Sequence, residues 1–495
     1  SENHILLEAG QGKNINGNMF SLLQEICENP KWKNLHPVFV VTDETMESAR
    51  KRFEFYGWNV KLVVRDTETY KKYLATSKYL VTDNSFPVYF LKKKEQVYLN
   101  TWHGTPLKTL GKSDIENAVS LSNIQKNYLM CDYALFPNPL TESVFMKDYM
   151  LENLYKGKLL LCDYPRNWHL EDKKIRRAIK EALHLENKIV YAYMPTWRGT
   201  GRKASVEIQK KIIETYLKEL DEKLQDDQLV LVNLHFLVGN TIDFSSYRHI
   251  RAFPSQYETY DVLAACDGLI TDYSSVMFDF GVTDRKIILF TYDLDEYMAE
   301  RGTYFSIDSL PFPICDTVDA VVAQINDPAV EDRKEFWKEF CPYRMTNVPE
   351  KILELLTTGK SYDLQIKEAP DNGKKLLLVY VGNLNAPVYN IYIANKIIQI
   401  QRENPDYNVV VAFRGVIRKK EVEFIQQLPE TIQFYGLVKK YSFSISELFR
   451  LRLSLESNLL YRVFKKSLEP VLRMERERHF YSIVPAWTIT ISRHS

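Results

Sequence analysis

The chain carries six cysteines in 495 residues and no Cys-x-x-Cys pair among them. That removes a disulfide framework and a zinc module from consideration and fits reduced thiols in a cytosolic protein. No apolar run approaches the ~18–20 residues that a membrane span requires. Charge of one sign is missing as well. Lys and Arg number 65 against 64 Asp and Glu, a formal net charge of +1, so no overall field argues for nucleic acid. Glycine is scarce, with 18 in all, and neither a Walker A loop nor a G-x-G-x-x-G fingerprint occurs. No secretory leader is visible. The chain opens on Ser1 instead of Met, so an upstream start or a removed tag is expected. What is plentiful is apolar side chain, 45%, with 31 Tyr and 25 Phe. This is the composition of a globular protein of two to four domains.

Short apolar runs alternate with amphipathic stretches, which implies α/β architecture with parallel sheets and crossover helices. Residues 1–168 are expected to form one α/β domain and 169–360 a second, closed by a helix from Asn347 to Thr358. Gly359 to Asn372 reads as a linker. Residues 373–495 hold three short strands and a basic, mainly helical tail in which Pro470 breaks or kinks the helix. That is too little for a whole doubly wound domain and implies the first half of a Rossmann-type unit, cut short.

Polar residues just past the carboxyl ends of parallel strands face the crevice where such sheets bind ligands. Gly10-Gln11-Gly12-Lys13 follows the first strand, and a glycine-rich loop entering a helix can cradle phosphate or acceptor groups. Trp102-His103-Gly104-Thr105-Pro106-Leu107-Lys108 follows another strand. His103 there is either a chemical group or a structural histidine beside Trp102. Pro195-Thr196-Trp197-Arg198 ends a strand of the second domain, and a guanidinium at that point can hold a phosphate bidentately. A further strand of the second domain ends in His235. Thr271-Asp272-Tyr273-Ser274-Ser275-Val276 joins a buried strand to a helix start. Ser274 and Ser275 serve there either as a phosphate site or as an ordinary cap. The remaining histidines, His4, His36, His169, His184, His249, His479 and His494, read as solvent-facing or structural. No carboxylate cluster is spaced to hold a metal. Two domains facing a cleft of Arg, His and hydroxyl groups suit a nucleotide diphosphate donor bound without metal.

These motifs, with Tyr164-Pro165-Arg166-Asn167 and Asp295-x-Tyr297 through Arg301-Gly302-x-Tyr304, occur in one order. Together they resemble the CDP-glycerol glycerophosphotransferase family of teichoic acid and capsule synthesis, over residues 1–360. The resemblance implies a GT-B-like fold. It also implies transfer of an alditol phosphate from a CDP-alditol to a polymer hydroxyl, with release of CMP and no metal or other cofactor. It implies His103 as general base on the acceptor side. Arg198 and His235 would hold the donor pyrophosphate, Ser274 and Ser275 would bind it at their helix start with Asp272 shaping the turn, and Arg301 would face the donor. Gly12, Lys13, Lys108 and Arg166 complete the expected substrate-binding set. The sequence departs from the family at His235-Phe236, where His-Pro is usual, and in its looser Gly12-Lys13 loop. Residues 373–480 resemble the opening of a glycosyltransferase-type domain that follows this catalytic unit in some polymerases, which implies a chain truncated from a larger polymerase.

Expected partners are a CDP-glycerol or CDP-ribitol donor and a lipid-linked polymer or oligosaccharide acceptor, met by a cytoplasmic protein peripheral to the inner membrane face. The tail from Arg450 to Arg478 fits either an anionic membrane surface or a core-facing helix lacking its partner. A glycosyltransferase using a nucleotide sugar and a non-catalytic scaffold are the alternative functions.

Overall fold

A computed structural model describes residues 3–491 apart from 117, 197–202, 235–241, 295–296, 298–301, 382–383, 385–386, 414–416, 438–442, 481–482 and 484. The first seven strands are β1 (His4–Glu8), β2 (His36–Val41), β3 (Lys61–Val64), β4 (Tyr79–Thr82), β5 (Val97–Asn100), β6 (Tyr133–Phe136) and β7 (Lys158–Leu161). The next six are β8 (Ile189–Met194), β9 (Gln228–Val232), β10 (Ile250–Ala252), β11 (Gly268–Thr271), β12 (Lys286–Phe290) and β13 (Ile314–Cys315). They build two separate parallel sheets. Helices cover both faces of such sheets, so the inner strands are apolar throughout rather than alternating. Ile5, Leu6, Leu7, Val38, Phe39, Val40, Ile287 and Ile288 are all fully buried.

The second sheet runs β10-β9-β8-β11-β12-β13. The first is closed by a strand from far downstream. β14 (Gln365–Glu368) pairs antiparallel with β7, placing Gln365 opposite Leu161. The eight-stranded order is then β14-β7-β6-β5-β4-β1-β2-β3. This corrects the linker expected over Gly359 to Asn372. The helix Val348–Thr358 likewise does not close the second domain. Val348, Ile352, Leu353 and Leu356 join the same core cluster as Met19, Leu22, Leu23 and Ile26 of the helix Asn18–Glu28. The chain therefore leaves the first domain after β7, builds the second, and returns to the first. Proximity in sequence suggested one partner for this helix, and burial of its apolar face selected the other.

The third unit is a four-stranded parallel sheet in the order β17-β16-β15-β18. Its strands are β15 (Lys375–Val381), β16 (Tyr407–Phe413), β17 (Gln433–Gly436) and β18 (Trp487–Ile491). Three strands were expected, and β18 adds the fourth beside β15. The helix Asn458–Phe480 is not broken at Pro470. The unit packs on the helix Ala118–Met130 of the first domain. Ile417 N donates to Ser122 Oγ at 3.1 Å and Gln125 Nε2 donates to the Phe434 carbonyl at 2.6 Å. Several large side chains of the last two long helices stay exposed, Ile445 at 89% and Leu455 at 81%.

Candidate active site

Each of the first two sheets has one place where its strand order reverses. In the first sheet β1 leads outward to β2 and β3, while β4 lies on its other side. In the second, β8 leads to β9 and β10, while β11 lies on its other side. Loops diverge at such switch points and open a crevice at the strand ends. Both crevices are tied by the same device. The Gly10 N–H, after β1, donates to Asp83 Oδ1 at 2.7 Å, after β4. The Thr196 N–H, after β8, donates to Asp272 Oδ1 at 2.9 Å, after β11, and Asp272 also accepts from Thr196 Oγ1 and from its neighbour Tyr273 N. Asp272 thus shapes its turn, and Asp83 is its counterpart in the other domain.

His103 stands between the two crevices. The preceding residue, Trp102, sits in the left-handed region at φ 54°, a conformation that costs a non-glycine residue ~1–3 kcal/mol. Surrounding bonds hold it there. Trp102 N donates to Asn100 Oδ1 at 3.0 Å, and its carbonyl accepts from Asn18 Nδ2 at 3.0 Å. The indole stacks on the His103 ring with centroids 4.0 Å apart. His103 Nδ1 lies 2.7 Å from the Asp83 carbonyl oxygen. A carbonyl can only accept, so Nδ1 carries the proton and, in the neutral ring, Nε2 keeps its lone pair.

The Tyr164-Pro165-Arg166-Asn167 motif braces this loop from below. Tyr164 Oη accepts from Gly104 N at 3.1 Å, and Arg166 donates to the His103 carbonyl at 2.9 Å. The same Arg166 nitrogen reaches Asp279 Oδ2, across the domain boundary, at 2.7 Å, and the guanidinium is flanked by the Tyr164 and Tyr260 rings. Tyr260 Oη donates to Asp279 as well, at 2.6 Å. Burial works against the charged guanidinium, yet the Asp279 carboxylate beside it holds its pKa above the ordinary value.

Two cavities meet at His103. One, of about 530 Å³, lies toward the second switch point and is lined by residues 102–108 together with Thr196, Asn233, Tyr273, Ser274 and Ser275. Lys108 borders it, with Nζ 5.3 Å from the centre of the Tyr297 ring, which in turn stacks on Tyr273 at 3.7 Å. Ser275 stands at the N-cap position of the short helix Val276–Phe280 without a side-chain capping bond, Val276 N donates to Ser274 Oγ at 3.4 Å, and both serines are half-buried. The other cavity, of about 400 Å³, lies over the first switch point and is lined by Gly10, Asn14, Asn16, Asp83, Asn84 and Arg166 among others. His103, Ser274 and Ser275 border both.

The structure thus brings together His103, Lys108, Arg166, Asp272, Ser274 and Ser275. Arg198, His235 and Arg301 lie outside the described residues. Gly12 and Lys13 line neither cavity. Gly12, at φ 82°, turns the loop where a side chain would meet the Val41 backbone, and Lys13 is exposed. Gly10, Asn14 and Asn16 of that loop face the cleft in their place. Sequence reasoning passed over Asp83, Asn84, Thr196 and Asp279. Asp83 follows β4 directly, the signal that singled out His103. His169 is a buried structural histidine, with Nδ1 2.6 Å from Asp261 Oδ1 and Nε2 3.0 Å from Ser21 Oγ.

Two parallel α/β domains that meet across a cleft at their strand ends make a GT-B-like fold. The chain belongs to the CDP-glycerol:poly(glycerophosphate) glycerophosphotransferase family, whose model matches residues 1–358. A teichoic acid glycerol-phosphate transferase of Staphylococcus aureus is 30% identical over 382 residues, covering 72% of this chain and 93% of that protein. A teichoic acid poly(glycerol phosphate) polymerase of Bacillus spizizenii is 26% identical over 375 residues, covering 72% and 92%. A solved structure of a histidine-to-asparagine variant of the wall teichoic acid polymerase TagF has the same fold, with a TM-score of 0.60 at 23% identity over 72% of this chain and 89% of that one.

Proposed function

We propose that this enzyme transfers glycerol phosphate from CDP-glycerol to a terminal hydroxyl of a teichoic acid-type polymer, with His103 as general base and CMP as leaving group. One observation carries the reading. The Nδ1–H of His103 is committed to the Asp83 carbonyl, and the ring stands where the two cavities meet, opposite Ser274 and Ser275. The acceptor oxygen attacks the glycerol-bearing phosphorus, the bond from that phosphorus to CMP breaks, and the acceptor proton passes to His103 Nε2. Such a displacement is catalysed mainly by positioning and charge stabilisation. Lys108 supplies positive charge on the donor side, and the hydroxyls of Ser274 and Ser275 supply donors for the pyrophosphate. Arg198, His235 and Arg301 are assigned to that pyrophosphate by family resemblance.

The acceptor in this reading is lipid-linked. Leu448 and Phe449, exposed on a helix that also carries Arg450 and Arg452, support contact with an anionic membrane. The test is nucleotide release. CMP from CDP-glycerol in the presence of a glycerol phosphate oligomer supports the reading. CMP from CDP-ribitol alone moves the donor to ribitol, and UDP or GDP from a nucleotide sugar replaces the reaction with glycosyl transfer.

A further inference from the structure

The loop that carries His103 runs on to Leu110, and a segment of the second domain lies along it. Lys108 and Thr303 face each other in an antiparallel bridge. Thr109 N donates to the Gly302 carbonyl at 3.1 Å, and Tyr304 N donates to the Leu107 carbonyl at 2.9 Å. Residues 107–109 and 302–304 therefore form a two-stranded ribbon with one strand from each domain. The strands lie close, since a β-carbon on Gly302 would stand 3.0 Å from Thr109 Oγ1. Each strand also lends a side chain to the other domain. Leu107 is buried in the core cluster of the second domain, with Leu170, Val276 and Phe278. Tyr304 packs in return on the cluster that holds Trp102, Phe145 and Tyr149 of the first. The Tyr304 hydroxyl fixes the end of the ribbon. It accepts from Leu110 N at 2.9 Å and donates to Asp148 Oδ2 at 2.5 Å, where the helix Pro139–Asp148 ends. The other oxygen of Asp148 accepts from Ser113 Oγ at 2.8 Å. Burial pushes the Tyr304 hydroxyl up, with Asp148 acting in the same sense, so it keeps its proton and donates at neutral pH.

We infer that Tyr304 is a positioning residue for the transfer: through the ribbon it holds Lys108 at the donor cavity, so that a charge carried by the first domain is aimed by the second. The inference rests on the glycerophosphotransferase reading and deepens it. Lys108 borders the cavity of about 530 Å³ and Tyr304 does not, so Tyr304 acts through Lys108 and not on the donor. A lysine is a point charge on a flexible stem, and its aim depends on where its backbone is held. The ribbon holds the backbone, and the Tyr297 ring, stacked on Tyr273, faces the ammonium group. Both ends of Lys108 are thus set by the second domain.

The experiment is a double-mutant cycle on the full chain, with wild type, Tyr304→Phe, Lys108→Ala and the pair. It reads kcat/KM for CDP-glycerol from CMP release with a glycerol phosphate oligomer, and CDP-glycerol affinity by calorimetry. Tyr304→Phe removes the hydroxyl alone and lowers kcat/KM about tenfold. In the Lys108→Ala background the same change costs less than about twofold, the non-additivity of a residue that acts through another. A merely structural role costs the same factor in both backgrounds, and that additive result would overturn the inference, as would full activity in Tyr304→Phe. Asp148→Asn, which weakens the acceptor of the tyrosine proton, repeats the cycle should Tyr304→Phe fold poorly. Wild-type protein that binds CDP-glycerol yet releases no CMP removes the transferase reading, while the calorimetric cycle still decides the positioning role. Wild-type protein without affinity for CDP-glycerol would overturn both.

Discussion

Gly104 and Ser275 touch across the cleft. A β-carbon added to Gly104 would lie 2.8 Å from the Ser275 β-carbon and closer still to its hydroxyl. Gly104 is therefore glycine because the other domain needs the space. The contact joins the loop that carries His103 to the turn proposed to hold the donor. Gly104→Ala pushes these elements apart, and turnover is expected to fall at least tenfold, since a displacement of about 1 Å at a reacting centre costs ~10²-fold. Ser275→Gly in the same protein clears the clash. Thermal unfolding of the double variant should therefore recover toward that of Ser275→Gly alone, a non-additivity expected of residues in contact.

Arg166 and Asp279 form the buried ion pair that joins the two domains beneath His103, with side chains 7% and 3% exposed. Removing one charge leaves the other buried and unmatched. Asp279→Asn is expected to lower folding stability by about 3–5 kcal/mol, read by urea denaturation. Arg166→Lys keeps the charge but loses the planar guanidinium whose one nitrogen bridges the His103 carbonyl and Asp279 between the Tyr164 and Tyr260 rings, and it should lower kcat more than it lowers the denaturation midpoint.

Asp272 gathers the Thr196 N–H and hydroxyl and the Tyr273 N–H. Asp272→Ala strands these donors at about 1–3 kcal/mol for each group left unsatisfied. The expected outcome is a clear loss of thermal stability together with weakened CDP-glycerol binding. Thr196→Val removes only the hydroxyl contact and should show a smaller loss of the same kind.

Acidity should stabilise the fold in a defined window. Burial raises the Glu258 carboxyl to about 7, with the nearby Asp261 acting in the same sense. His169, where burial opposes charge, is held above its usual value by Asp261. Arg52 and Tyr56 of the first domain pack at the same seam. Both shifts have one sign. Each group binds its proton more tightly in the folded state, so its contribution is complete below its unfolded pKa and is lost as pH rises through the folded one. For Glu258 the thermal midpoint should therefore fall as pH is raised from about 4.5 to about 7, and His169 extends the fall above its ordinary value of 6.5. Glu258→Gln should reduce that slope in part, because burial raises Glu8 and Asp163 to about 7 as well.

Strand runs such as Leu229–Val232 and Gly268–Thr271 were legible because parallel strands buried on both faces are written as unbroken apolar stretches. Strand β14 was not, because an exposed edge strand, Gln365-Ile366-Lys367-Glu368, carries no such pattern and is specified by its partner β7. The helix Val348–Thr358 showed its apolar face but not which core would take it. At the site, His103, Ser274 and Ser275 stood out as strand-end residues next to glycine, proline or a helix start. Asp83 follows a strand in the same way, but its contact with His103 is made by its backbone carbonyl, which sequence does not display, while its carboxylate accepts from Gly10 N. The cavity over the first switch point draws on segments of both domains, among them residues 10–17, 83–84 and 103 of the first and 259–260 and 274–279 of the second, that only the folded chain brings together.

In the proposed mechanism His103 takes the acceptor proton while other groups hold the donor. CMP release from CDP-glycerol with a glycerol phosphate oligomer, measured beside CDP-glycerol affinity for wild type and His103→Ala, tests it most directly. Turnover is expected to fall by about 10²–10⁴-fold while donor affinity stays within about threefold, a factor worth under 1 kcal/mol. Turnover retained in His103→Ala, or lost only in step with donor affinity, would contradict it.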